Sequence, residues 1–177
     1  MTTELGQLVA KKYTAKLPDD ELKERILKFL KEQAMCVIAT CKDDVPRATP
    51  LEYFSEGTTL YIAPDPGTKI VNIAANSRIS VGIFNDVNPD WPGGDWKRTK
   101  GVQITGEAKL LTPDDPEYAH AMEVYNWEPF LKALGRTRDD GPRPGKMLKV
   151  EARKIEYREG ALMLEGYASG QVWEVSA

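Results

Sequence analysis

The feature that most restricts this fold is a succession of short runs rich in β-branched and aromatic residues, each ended by a turn signal. "MCVIATC" (35–41), "PRATPLEYF" (46–54), "TTLYIA" (58–63), "ISVGIFN" (79–85) and "KGVQITGEAKLL" (100–111) are all of strand length. "DDVP" and "SEGT", between the first three, read as hairpin turns. In "GVQITGEAKL" the residues Val102, Ile104, Gly106, Ala108 and Leu110 alternate with Gln103, Thr105, Glu107 and Lys109, the signature of a half-buried strand. "MLKVEARKIEYRE", "ALMLEGY" and "QVWEV" add three strand candidates near the end. Hairpin-linked strands with few helices argue for an antiparallel barrel or a strongly coiled sheet.

The period changes to a helical one in three places. Residues 18–33 place Leu22, Ile26, Phe29 and Leu30 at helical spacing behind Pro18 and two acids. "KIVNIAANS" predicts a covering helix of about two turns. "TPDDPEYAHAMEVYNWEPFLKALG" predicts a helix starting at Thr112-Pro113, kinked or broken at Pro129 and stopped at Gly135. Tyr118, Met122 and Tyr125 form its core stripe, and His120 lies opposite. The remaining segments are an N-terminal arm (1–17) and two long loops, 85–100 and 136–146. A length of 177 residues predicts a single domain spanning 1–177.

Composition excludes several classes. A net charge of −3 offers no basic field for nucleic acid or anionic lipid. No run nears the roughly 18 apolar residues of a membrane helix, and the first residues lack an uninterrupted apolar leader core. The expectation is a soluble, cytoplasmic protein. Cys36 and Cys41, five apart on a strand, point to opposite faces and read as free thiols. With His120 the only histidine, a Cys/His metal cluster has too few ligands, so no metal is expected.

Three fragments could carry chemistry. In "APDPGTKIVNI" an apolar run stops, turns through Pro66 and Gly67, and opens a helix with Thr68 and Lys69, Asn72 following one turn later. This is either a capped helix on a surface turn or an anion site, where backbone amides and a cation converge at a helix N-terminus. In "PRATPLEYF", Arg47, Thr49 and Leu51 share one strand face and Ala48, Pro50 and Glu52 the other. Pro50 removes a ladder donor and so prefers an edge or a bulge. Gln103 carries donors and acceptors suited to a heteroaromatic edge, or is an outward polar residue.

Taken together, residues from about 25 to 165 resemble the pyridoxamine 5′-phosphate oxidase-related, FMN-binding split-barrel proteins. "CVIATCKDDVPRATPLEYFSEGTTLYIAPDPGTKIVNIAANSRISVGI" is similar to their N-terminal half, "GVQITGEAKLL" to their fifth strand and "VEARKIEYREG" to their returning strand. The resemblance implies a mainly β (α+β) fold, a six-stranded antiparallel split β-barrel with peripheral helices. It implies a homodimer with FMN at the subunit interface. Arg47, Ala48, Thr49 and Pro50 would meet phosphate and flavin edge, and Ile62, Ala63 and Pro64 would line the ring. Gly67, Thr68 and Lys69 would hold the phosphate, with Asn72 nearby and Gln103 approaching the flavin from the partner chain.

The closing "YASGQVWEVSA" lacks the arginine pattern with which the true oxidases grip their substrate. The resemblance therefore implies an FMN-binding oxidoreductase of flavin-reductase or nitroreductase type. Its rivals are a non-enzymatic FMN carrier, sensor or electron-transfer protein, a deazaflavin binder and a haem binder. Trp91 and Trp96, in the Pro/Gly-rich 85–100 loop, are either a substrate-side lid or packing residues.

Overall fold

The structure, a computed structural model, describes residues 3–87 and 90–175. A short helix α1 (Glu4–Ala10) lies within the expected N-terminal arm. Helix α2 (Asp19–Glu32) follows Pro18 and buries Leu22, Ile26, Phe29 and Leu30, the stripe its spacing dictates. Strands β1 (Met35–Lys42) and β2 (Val45–Glu52) form a hairpin around Asp43 and Asp44, whose φ values of 52° and 59° give the twist such a two-residue turn requires. Strand β3 (Phe54–Glu56) turns through Gly57 into β4 (Thr59–Ile62). Helix α3 (Thr68–Ala75) then leads into β5 (Arg78–Phe84). The long strands β6 (Lys100–Leu111) and β7 (Met147–Glu159) flank helices α4 (Tyr118–Tyr125) and α5 (Glu128–Ala133), and β8 (Gly170–Glu174) closes the order.

All strand pairings are antiparallel, in the order β2-β1-β5-β6-β7-β4-β3, with β8 beside β7. The two ends of that order, β2 and β3, are separated in sequence by Tyr53 alone. The sheet must therefore curl until its edges meet, which makes it a split barrel. Tyr53 turns inward, its hydroxyl donating to the Leu30 carbonyl at 2.8 Å. The barrel interior is filled by fully buried Ile38, Leu60, Val81, Ile104, Val150 and Ile155, with α2 closing one end. A second cluster, around Tyr61, Leu111, Tyr118, Ala121, Tyr125 and Met147, seats α4 on the sheet.

The sheet has eight strands rather than six. "PRATPLEYF" divides at Tyr53 into β2 and β3, and β8 adds to the edge of β7. "ALMLEGY" is not a strand. Residues Gly160–Glu165 wind into a 3-10 turn that ends at Gly166, whose φ of +90° suits glycine. The helix expected from Thr112 begins only at Tyr118. The Asp115 amide bonds Thr112 and the Asp115 side chain accepts from the Glu117 amide, so stacked turns fill 112–117. The break falls at Asn126 (φ 49°), and Pro129 sits in the first turn of α5, where its missing N–H costs nothing. Gly135 ends that helix at φ 67°.

At Gly106 the β6–β7 register shifts, and an added Cβ would stand 2.2 Å from the Glu151 carbonyl oxygen. The room this glycine leaves is occupied by neighbouring backbone. Of the 85–100 loop, residues 88 and 89 lie outside the described residues. Its ends are tied by Asn85, whose side chain donates to the Arg98 carbonyl at 2.7 Å and accepts from the Lys100 amide at 2.7 Å. No helix among the described residues is long and apolar enough to cross a membrane.

Candidate functional site

Five buried polar or charged residues are found among those described: Thr40, Lys69, Asn72, Glu159 and Gln171. Two of them, Thr40 and Asn72, meet where α3 packs on β1. Asn72 Nδ2 donates to Thr40 Oγ1 at 3.1 Å, and Asn76 Nδ2 donates to the Cys41 carbonyl at 3.2 Å. Lys69 is one turn before Asn72 on the same helix face. Its stem is buried, and no carboxylate pairs with it among the described residues. A buried ammonium without a counter-ion is costly unless its head reaches water or an anion.

The start of α3 is open and free of acids. Gly67 precedes the helix at φ +153°, a conformation side chains rarely adopt, and nothing lies within 4 Å of where its Cβ would stand. The first turn carries no acid, whereas that of α2 carries three. The leading amides of Thr68 and Lys69 lack intrahelical acceptors, as in any helix, and the Thr68 side chain is exposed beside them. Asp65 stands exposed in the approach to this turn and opposes an anion there.

Strand register connects β2 to this corner. Thr40 pairs with Arg47 and Ile38 with Thr49, so Arg47 and Thr49 share the inward face with Thr40. Arg47 is exposed and free of ion pairs among the described residues. Thr49 Oγ1 is one of two buried side-chain oxygens there without a hydrogen-bond partner, the other being Thr99 Oγ1. β2 pairs only with β1, so Pro50 does occupy an edge strand.

The remaining residues expected at the site fall elsewhere. One cross-sheet row runs Pro50–Val37–Gly82–Gln103–Glu156–Val172 on the outward face. Ala48 shares that face through Ala39. Gln103 is exposed there, on the side opposite Thr40 and Arg47. Small residues make the surface concave, a hollow of about 700 Å³ bordered by Val37, Ala39, Gly82, Phe84, Gln103 and Val172. Ile62 is buried in the barrel core, while Ala63 and Pro64 are half-buried on the way to α3. Trp96 is buried with its backbone against Gly160, and Trp91 is exposed.

Two groups escaped the sequence reading. Thr40 is a hydroxyl at an inward position of the Cys36–Ile38–Thr40 alternation, and that mismatch was its available signal. Glu159 receives Tyr157 Oη at 2.8 Å, Lys100 Nζ at 2.9 Å and Arg25 Nη1 at 3.2 Å, a convergence no local pattern announces. Cys36 is buried, which pushes its thiol up to about 12. His120 is exposed and bonded to Glu56 at 2.8 Å. Replacing Thr40 by valine should strand the buried Asn72 amide and lower stability by about 1–3 kcal/mol in urea unfolding, with Thr40→Ser staying near the parent.

The family model for pyridoxamine 5′-phosphate oxidase matches residues 22–159. The chain belongs to that family of flavin-binding split barrels. Solved structures share the fold. General Stress Protein 26 from Bacillus anthracis is 20% identical, with a TM-score of 0.59 over 88% of this chain and 99% of that one. A FAD-binding protein from Mesorhizobium loti is 20% identical, with a TM-score of 0.56 over 75% of this chain and 88% of that one. A heme binding protein from Mycobacterium smegmatis is 16% identical, with a TM-score of 0.59 over 90% of this chain and 60% of that one. No curated protein matches the sequence.

Proposed function

We propose that this chain binds FMN between the subunits of a homodimer and works as an oxidoreductase of flavin-reductase or nitroreductase type. The observation that carries the reading is the buried Lys69, without a carboxylate partner among the described residues, beside the acid-free first turn of α3. The unpartnered Thr49 hydroxyl on the adjoining edge strand fits the same ligand. A phosphate suits this corner: Lys69 and Arg47 supply charge, the amides and hydroxyl of Thr68 supply donors, and Asn72 keeps α3 on β1. The β2 edge offers unpaired backbone groups around Ala48–Pro50 to a flat ring.

Bound FMN would supply the redox chemistry, accepting electrons from a reduced donor and passing them on. The chain's part is to hold the phosphate and to orient the ring. Support for the homodimer comes from Gln103. It stands on the opposite face from the Lys69 corner, in an exposed hollow flanked by Phe84 (69% exposed) and Val172 (46%). A second copy seated there brings Gln103 towards a flavin held by its neighbour. Free Cys36 and Cys41 suit a reducing cytoplasm. A haem reading has a single histidine to offer, His120, and Glu56 bonds it at 2.8 Å.

For Gln103→Ala the expected result is a shifted flavin midpoint potential with FMN affinity nearly unchanged, because the phosphate still anchors the cofactor. Spectroelectrochemistry with a parallel FMN titration checks both. Turnover is tested by following NADH and NADPH consumption with free flavin or a nitroaromatic as acceptor. Consumption supports the enzyme. FMN bound without consumption favours a carrier or sensor.

A further inference from the structure

A hollow of about 560 Å³ lies between α4, α5 and the 136–146 loop, with Tyr118, Met122, Trp127 and Leu131 on one side and Arg138 and Arg143 on the other. The loop is well fastened. Trp127 Nε1 donates to the Pro142 carbonyl at 2.9 Å, and Tyr118 Oη donates to the Pro144 carbonyl. Arg138 pairs with Glu128 at 2.8 Å, and Asp140 accepts from the Thr137 amide at 2.7 Å. Yet "RTRDDGPRPGK" contains no apolar side chain larger than proline, so it spans the hollow without filling it.

The polar groups available there are few. The Tyr118 hydroxyl and the Trp127 ring N–H are committed to the loop, and Arg138 gives its Nε to Glu128, which balances its charge. Arg143 spends one N–H on the Arg138 carbonyl at 2.9 Å and has no carboxylate partner among the described residues. Glu123 also borders the hollow, so a second negative charge on a ligand is disfavoured. We infer that this hollow binds a small amphipathic monocarboxylate, its flat apolar body among Met122, Trp127 and Leu131 and its carboxylate on Arg143. The volume falls within the roughly 300–1,000 Å³ of small-molecule sites. A guanidinium matches a carboxylate in geometry as well as charge.

The test is calorimetric titration of the full chain with 1-naphthoate and with 1-naphthalenemethanol, which keeps the ring and drops the charge. Saturable binding of the acid is expected, with the alcohol about tenfold weaker. Arg143→Gln should bring the acid down to the level of the alcohol and leave the alcohol unchanged, showing the hollow intact. No saturable binding of the acid, equal affinity for both probes, or a variant that weakens both alike or neither would overturn the assignment.

Discussion

A Lys69→Ala, Thr68→Ala double variant should bind FMN at least about tenfold more weakly than the parent while keeping the fold. One charge-assisted hydrogen bond to phosphate is worth roughly 1.5–3 kcal/mol, and a tenfold change needs about 1.4. The fold is expected to survive because neither side chain anchors the core. Thr68 is exposed, and Lys69 makes no ion pair among the described residues that its loss would break. Asn72 still ties α3 to Thr40. Riboflavin, which lacks the phosphate, is the control: its affinity should change little in the variant. Fluorescence quenching titrations of both flavins measure this. Unchanged FMN affinity would remove the cradle and return "PGTK" to a capped turn.

The largest stability effect is expected at Glu159. Its side chain is only 7% exposed and carries Lys100, Arg25 and the Tyr157 hydroxyl. Glu159→Ala leaves the Tyr157 hydroxyl without its acceptor and two cations without a shared carboxylate. Arg25 retains Glu21 and Glu165, both at 2.7 Å, so the cost belongs at the low end for a broken buried pair. About 3 kcal/mol is expected, or roughly 6–12 °C in Tm for a chain of this size.

Acid should erode the same contribution. Burial raises the Glu159 carboxyl, but Lys100, Tyr157 and Arg25 outweigh it, and the net direction is downward. A carboxyl lowered in the folded state stabilises fully above its unfolded value and loses that contribution as pH falls through the folded value. Glu117, bonded to Lys109 and Lys149 and pushed down to about 2, follows the same sign. The difference in stability between the parent and Glu159→Gln should therefore narrow as pH drops below the ordinary glutamate range. Urea midpoints of both proteins from neutral pH to pH 3 (about the end of that range) measure it. A difference that held constant would place the stabilisation in packing instead.

Much of the fold was legible because its signals are local. The Leu22–Ile26–Phe29–Leu30 stripe and the alternation of β6 each need only one segment to be read. Misreadings arose where turn chemistry overrode composition: stacked turns delayed α4 past Thr112, and Gly166 capped a 3-10 turn that looked like a strand. Alternation along β2 separated Arg47 and Thr49 from Ala48 and Pro50. It could not tell that Gln103 lies on the Pro50 side, since that follows from the register through Val37 and Gly82. Arg25 and Glu159 meet across 134 positions, and nothing near either residue predicts the other.

The most direct measurement is the visible absorption spectrum of the purified protein, followed by heat release and mass determination of its chromophore. Flavin bands with released FMN are predicted, and a protein purified colourless should take up added FMN. A released mass of FAD would keep the cradle and change the flavin, a single violet band would indicate deazaflavin, and a Soret band haem. A colourless protein that also refuses added FMN would contradict the account.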